Sequence, residues 1–366
     1  MSVASPEARA ERVATLDFLL SEKYGVVIVP LAGVRKLLPP KALWKAAQFT
    51  IKQGGELDLT NLAQRLVDMG YTRQQLVSTP GEFSIRGGII DIYSLTEEFP
   101  VRIDLFDTEV DSLRYFDAAS QRSIQTIEKI TILPASDTVY TKEQLTAAAP
   151  KFSKAVERNL GLIQDASEKQ TFTRQVTPIS DAFQKGEPID ELMMFTDFIY
   201  PEKNSVLDYM SKKGIVVMDE YPRIMDTDRR LNEEEAEWVT SKLSERRILQ
   251  NQVFSNNFRD QLKNLSNTIL YFSVFQKGMG NTRFNQIHAF QYRNMQQFFG
   301  QMPLLKTEMN RWIKQKNTVI IMVPNADRAK KVQQTFKDFE ITSKIVKLAR
   351  LELEKVQIVE GYVQSG

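Results

Sequence analysis

The stretch of residues 80–123 constrains the fold most, because apolar and polar residues alternate one by one along its short runs. Side chains on a β-strand change faces at every residue, so this alternation predicts strands that each have one buried face. In residues 101–106 the odd positions are apolar and are expected to face inward. Arg102, Asp104 and Phe106 are then expected to face outward.

The preceding run follows the same pattern. Phe83 and Ile85 are expected to face inward, which places Ser84 and Arg86 on the outward face. Gly87 and Gly88 interrupt the alternation, and paired glycines within a strand pattern indicate a bulge or a close approach of the backbone. The strand is expected to resume at residues 91–93 and to form a hairpin with the second run through the polar connection at 94–100. If this hairpin forms, Arg86 lies on the same side as the outward residues of the second run.

Arg86, Arg102 and Phe106 together have the composition of a protein-binding surface. Arginine and aromatic residues carry most of the binding energy in protein interfaces, so this face is interpreted as a docking surface. The alternative is that Phe106 only covers the arginine stems or packs under a neighbouring domain, because single exposed apolar residues are common in soluble proteins.

Charge distinguishes between the kinds of partner. The whole chain of 366 residues has a net charge of +2. Residues 49–135 contain eight basic and thirteen acidic side chains, a net charge of −5. A domain of that sign repels the phosphate backbone, so a protein partner is expected rather than DNA. The sequence contains no cysteine, its first residues lack the apolar region of a signal peptide, and no apolar run reaches membrane-spanning length, so a cytoplasmic location is expected.

The chain length predicts two to four domains, and periodicity predicts an α/β fold. The predicted elements of the first half are a helix after Ser5, a buried parallel strand at 25–30, two helical turns at 33–44, a strand at 49–51, a helix at 58–69, a strand at 125–133 and helices at 141–160 and 169–183, the last interrupted at Pro178. Those of the second half are a helix and strand in 205–220, a charged helix at 231–250, a buried strand at 267–275, and a strand, helix and strand at 317–324, 327–339 and 355–363.

Asp219 and Glu220 follow four apolar residues, as the acidic residues of a Walker B strand do. Nucleotide hydrolysis also requires a phosphate-binding loop, and no complete G-x-x-x-x-G-K-[ST] sequence is present. The acidic pair is therefore interpreted as a degenerate Walker B-like feature or a helix cap, and no catalytic residue is predicted. His288 is the only histidine, so a histidine-rich metal site is excluded and no metal ligands are predicted.

The segment GEFSIRGGIIDIYSLTEEFPVRIDLFDTEVDSLRYFDAASQRS resembles the bacterial transcription-repair coupling factor (Mfd) family in its N-terminal UvrB-homology region. The resemblance is specific over residues 2–133. It continues, more weakly, through SVLDYMSKKGIVVMDEYPRI and FNQIHAFQYRNMQQFFGQ.

The resemblance implies an incomplete RecA-like, P-loop-type parallel-sheet domain with an inserted small α+β domain and a following α/β domain. The implied boundaries are 1–48 for part of domain 1a, 49–133 for domain 2, 134–301 for domain 1b and 302–366 for part of domain 3. The chain is thus expected to be a fragment of a longer protein, truncated at both ends and monomeric.

Domain 2 of this family recruits UvrA, and the resemblance implies that Arg86, Arg102 and Phe106 make that contact. It also implies that the ATP and magnesium of the translocating motor, and the contacts with RNA polymerase and double-stranded DNA, belong to domains outside this chain. No cofactor is expected here. Two alternatives are a UvrB-like DNA-binding module that uses Lys212, Lys213, Lys330 and Lys331, and residual ATP hydrolysis at Asp219 and Glu220.

Overall fold

The computed structural model of the chain describes residues 5–21, 24–187, 190–275, 279–280, 282–291, 295, 297–298 and 300–362. It divides into two compact units, Met1–Asn281 and Thr282–Gly366. Within the described ranges, no helix has both the length and the apolar content needed to cross a membrane.

The first unit combines ten α-helices with strands in three sheets, counted over its described residues. The helices are α1 (Pro6–Leu20), α2 (Leu31–Arg35), α3 (Lys41–Ala47), α4 (Leu59–Asp68), α5 (Lys142–Leu162), α6 (Ala166–Lys185), α7 (Thr196–Ile199), α8 (Val206–Tyr209), α9 (Tyr221–Ser244) and α10 (Phe258–Asn264), with a 3-10 helix at Asp190–Phe195. The strands are β1 (Phe49–Lys52), β2 (Thr72–Arg73), β3 (Glu82–Arg86), β4 (Ile89–Ile92), β5 (Val101–Phe106), β6 (Glu109–Phe116), β7 (Ser123–Ile127), β8 (Lys129–Ile132), β9 (Ile215–Asp219) and β10 (Thr268–Phe272).

Strands β2 to β7 form a six-stranded sheet in chain order. Strands β2 and β3 are parallel, and every later pair is antiparallel. Its inner face is fully buried at Phe83, Ile90 and Ile103, which share one core with Leu62 and Leu66 of α4. The alternation predicted for β5 is confirmed, because Val101 and Ile103 are buried whereas Phe106 is exposed.

Gly87 and Gly88 form the tight turn between β3 and β4, because Arg86 pairs directly with Ile89. The predicted bulge is wrong, since the pairing of these two strands has no register shift. The predicted close approach is present at Gly88, where an added Cβ atom would lie 3.0 Å from the carbonyl oxygen of Leu105. A side chain at this position would force the hairpin away from β5.

The segment at 25–30, predicted to be a buried strand, is an exposed coil. Val26 and Ile28 are 88% and 92% exposed, and no described strand pairs with the segment. Apolar composition alone does not make a strand, because its backbone groups also need a neighbouring strand to bond with.

The predicted helix after Ser5 is confirmed as α1, whose first turn is capped by the Ser5 hydroxyl.

Helices α5, α6 and α7 pack around a cluster of phenylalanines. The ring centroid of Phe152 lies 4.8 Å from that of Phe183 and 5.3 Å from those of Phe195 and Phe198. The predicted interruption at Pro178 is wrong, because α6 runs through it to Lys185. A proline removes one backbone donor, and the buried apolar face of the helix outweighs that loss.

Two short parallel sheets complete the structure. Strands β9 and β10 pair in parallel, but Leu270 and Phe272 are 42% and 57% exposed, so the prediction that 267–275 is a buried strand is wrong about burial. The charged helix predicted from Leu231 begins ten residues earlier, as α9 at Tyr221.

In the second unit the predicted strand, helix and strand are confirmed. Its elements are α11 (Met302–Lys314), β11 (Val319–Val323), α12 (Ala326–Asp338), β12 (Lys344–Val346), a 3-10 helix at Leu348–Arg350 and β13 (Val356–Glu360).

The chain is thus a mixed α/β protein with several small sheets, some of them parallel. In the second unit, β13 lies between β11 and β12, and all three strands are parallel.

Candidate protein-binding interface

The outward face of the six-stranded sheet carries a row of polar side chains across four strands. Ser84 on β3 pairs with Asp91 on β4, Asp91 pairs with Arg102 on β5, and Arg102 pairs with Arg114 on β6. Residues that pair directly across strands lie on the same face, so the sheet register sets this row. The row continues the outward face that strand alternation predicts.

Asp91 holds the two predicted arginines together. Its side chain is 1% exposed, and its Oδ2 atom accepts a hydrogen bond of 2.6 Å from Nη2 of Arg86. Arg102 donates to both carboxylate oxygens, from Nε at 2.7 Å and from Nη2 at 2.8 Å. A buried carboxylate is stable only when it is paired and hydrogen-bonded, and the two guanidinium groups supply this compensation.

Arg102 lies on the predicted face, but most of its side chain is enclosed. Its exposed fraction is 14%, its Nη2 atom also donates to Oε1 of Gln121 at 2.7 Å, and its guanidinium carbon lies 4.2 Å from the ring centroid of Phe116. The hydrogen bonds to Asp91 raise the pKa of Arg102. The side chain of Arg86 is 40% exposed, so Arg86 is the more accessible cation of the two.

Phe106 is the most exposed of the three predicted residues. It ends β5 opposite Glu109, just before a turn in which Asp107 has a φ of 58°, and it is 81% exposed. Ile89, which pairs with Arg86 across the neighbouring hairpin, is 37% exposed and was not predicted to contribute. The sequence feature that could have predicted this contribution is the position of Ile89 directly after the two glycines, because a two-residue turn places Ile89 opposite Arg86.

A second arginine and carboxylate pair lies on the same face. Arg114 donates to Asp104 through Nη1, and the Ser112 hydroxyl donates to Oδ2 of Asp104 at 2.9 Å. Burial opposes ionisation of Asp104, but the hydrogen bonds from Arg114 and Ser112 outweigh it and lower the pKa of Asp104. The face therefore presents fixed charges beside the exposed ring.

Ser84 differs from its predicted exposure. It belongs to the outward face by register, yet it is only 1% exposed, and its hydroxyl donates to the carbonyl oxygen of Gln75 at 2.8 Å. The segment after β2 covers this end of the row. The accessible part of the face therefore lies beside the row, towards the turns that follow β3 and β5, at Arg86, Ile89 and Phe106.

Asp219 and Glu220 lie outside the six-stranded sheet. Asp219 is exposed at the end of β9. Glu220 has a φ of 53° at the start of α9, and its Oε1 and Oε2 atoms accept hydrogen bonds from the Val274 amide at 2.7 Å and the Ser273 hydroxyl at 3.3 Å. Glu220 thus fixes the segment that follows β10. Over the described residues, no group of three or more acidic or histidine side chains is arranged to hold a metal ion.

Comparison with known proteins identifies the relatives of this chain. Over its full length it is 36% identical to the transcription-repair-coupling factor of Bacillus subtilis (strain 168), and 33% identical to that of Staphylococcus haemolyticus (strain JCSC1435). The chain is homologous to the N-terminal region of transcription-repair-coupling factors. It spans 31% of the length of each of these two relatives.

Part of the chain also matches a known domain family. Residues 49–137 match the family described as the UvrB interaction domain. This span contains β1 to β8 and therefore all of the six-stranded sheet, including Arg86, Arg102 and Phe106. Asp219 and Glu220 lie outside the matched span.

Proposed function

We propose that this chain is the UvrA-recruiting module of a transcription-repair-coupling factor. In this proposal the accessible end of the outward face, at Arg86, Ile89 and Phe106, binds UvrA. The whole protein uses ATP-driven translocation on double-stranded DNA to displace stalled RNA polymerase and so directs excision repair to the site.

The observation that carries the proposal is the exposure of Phe106. The Phe106 ring is 81% exposed, whereas the two arginines predicted on the same face, Arg86 and Arg102, are held by ion pairs to Asp91. Insertion of such a ring into an apolar recess of a partner removes it from water, and this is how aromatic anchors contribute binding energy. The UvrB interaction domain match over the same strands supports a partner from nucleotide excision repair.

The two arginines have separate roles in this proposal. Arg86, with a side chain that is 40% exposed, retains donors that can reach a carboxylate on UvrA. Arg102 acts mainly through Asp91 and Gln121, because it fixes the strands that present the other side chains. Loss of Arg102 is therefore expected to reduce UvrA binding by loosening the sheet.

The experiment is a calorimetric titration of UvrA with wild-type chain, Phe106→Ala and Phe290→Ala. Phe290 is a matched control, because it is 84% exposed and lies outside the 49–137 span. Truncation of Phe106 is expected to weaken binding by about 2 kcal/mol or more, which is about 30-fold, whereas Phe290→Ala binds as wild type does. Equal affinities for the three proteins would refute the assignment of Phe106.

We also propose that this chain does not hydrolyse ATP, since it corresponds to the N-terminal third of its relatives. The hydrogen bonds that Glu220 accepts from residues 273 and 274 support a structural role for its carboxylate. Steady-state turnover of ATP that is lost in Asp219→Asn would contradict this part of the proposal.

A further inference from the structure

Two glutamates continue the outward face of the sheet beyond Phe106. Phe106 pairs directly with Glu109 across the turn between β5 and β6, and Glu109 pairs with Glu56 in the segment that follows β1. Residues that pair directly across strands lie on the same face, so the aromatic ring and both carboxylates share one face. All three side chains are exposed. We call Glu56 and Glu109 the glutamate pair.

The backbone holds the glutamate pair at close range. Two backbone hydrogen bonds of 2.8 Å flank it, from the Val110 amide to the carbonyl oxygen of Gly55 and from the Leu57 amide to that of Thr108. The two glutamates are therefore a non-hydrogen-bonded pair, the kind whose Cα atoms lie only about 4.5 Å apart. Like charges directly opposite each other destabilise a strand pair. The two carboxylates thus repel each other in the free chain.

No cation of the described residues compensates the glutamate pair. Neither carboxylate forms an ion pair or a hydrogen bond with any residue that the structure describes. Lys52 and Lys129 line a depression beside Glu109, together with Asp111 and Glu128, but neither lysine forms an ion pair with the glutamate. A repulsive pair of this kind, next to an exposed aromatic ring, is complementary to a partner that brings a cation to it.

We propose that the glutamate pair binds a lysine or arginine of UvrA beside the apolar recess that receives Phe106. This inference rests on the proposed function, since it extends the same contact. A cation between the two carboxylates forms a charge-assisted hydrogen bond with each of them and removes their repulsion. Strand β5, with Phe106, lies between β3, which carries Arg86, and β6, which carries Glu109. The contact therefore has a positive and a negative side, which favours one orientation of UvrA.

The test is a calorimetric titration of UvrA at low ionic strength with the wild-type chain and matched variants. Glu56→Gln/Glu109→Gln keeps the size of both side chains and is expected to weaken binding about tenfold, because a hydrogen bond to a charged group contributes about that factor. Glu56→Lys/Glu109→Lys is expected to weaken binding further, because it repels the cation of UvrA. The matched control is Glu233→Gln/Glu237→Gln, which removes two exposed carboxylates from α9, outside the 49–137 span, and is expected to bind as wild type does.

Two further measurements separate a charge contact from a structural role of the glutamate pair. The affinity of the wild-type chain is expected to fall more steeply with salt than that of Glu56→Gln/Glu109→Gln, because salt screens the contact that the variant lacks. The melting temperature of this variant is expected to equal or exceed that of the wild type, because neutralisation ends the repulsion. A structural role would instead lower the melting temperature and leave the salt dependence unchanged.

The outcomes distinguish this contact from the proposed function as a whole. If Phe106→Ala weakens binding but Glu56→Gln/Glu109→Gln binds as the α9 control does, the contact of the glutamate pair alone is refuted. A lower melting temperature of the glutamine variant with unchanged salt dependence would also overturn it. If UvrA binds no variant and no wild-type chain, or binds Phe106→Ala as tightly as wild type, the proposed function fails as well. Self-association of the chain that requires the glutamate pair would assign this face to a second copy and overturn the contact with UvrA.

Discussion

Replacement of Asp197 by asparagine is predicted to change how the stability of the first unit depends on pH. Burial raises the pKa of this carboxyl group to about 6 in the folded chain, against an ordinary value of 3.8, which is used here for the unfolded chain. The difference of about 2.2 units corresponds to about 3 kcal/mol at about 1.4 kcal/mol per unit, which is an upper value for a partly buried group.

The sign follows from proton linkage. Because the folded pKa is raised, the folded chain binds the proton more tightly than the unfolded chain does. The contribution of Asp197 to stability is therefore fully present below pH 3.8 and is lost as the pH rises through about 6. Asparagine does not titrate in this range, so the variant lacks this dependence.

The measurement is urea unfolding of both proteins at a series of pH values between 4.5 and 7.5. Both carry Trp312→Phe, so that the fluorescence of Trp44 and Trp238 reports on the first unit. The free energy of unfolding of the protein with Asp197, minus that of Asp197→Asn, is expected to rise by about 1 to 2 kcal/mol as the pH falls over this range. A difference that stays constant with pH would refute the assignment of a raised pKa to Asp197.

The remaining predictions concern the two arginines that bind Asp91 and the phenylalanine cluster of α5, α6 and α7. Arg102→Ala is expected to lower the free energy of unfolding by about 3 kcal/mol, since it leaves a buried carboxylate with one partner, whereas Arg86→Ala is expected to cost less than about 1 kcal/mol. Urea unfolding compares the two, and equal losses would contradict the structural role of Arg102. Phe152→Ala removes the central ring of four and is expected to cost about 3 to 5 kcal/mol by the same measurement. A loss below about 1 kcal/mol would contradict its position in the core.

Local patterns predicted the exposure of Phe106 correctly, because strand alternation depends only on neighbouring residues. They could not predict the enclosure of Arg102. That enclosure depends on Asp91 from the adjacent strand, on Gln121 from the loop after β6 and on the ring of Phe116. These contacts depend on sheet register and loop path, which alternation within one strand does not specify.

The wrong predictions have a similar origin. Residues 25–30 and 267–275 are apolar, and composition was taken to indicate burial. Burial of a parallel strand requires layers on both of its faces, and the sequence of a single segment does not show whether such layers exist. Pro178 was expected to interrupt a helix, but the packing of the flanking residues Val176, Ile179 and Phe183 keeps α6 continuous.

We propose that the accessible end of the outward face contacts UvrA. The decisive measurement is photo-crosslinking, with benzoylphenylalanine in place of Phe106 and, as a matched control, in place of Phe290, which is similarly exposed. On irradiation with UvrA, a crosslinked product is expected from position 106 and none from position 290. Crosslinking from position 290 alone, or equally from both positions, would refute the proposed contact.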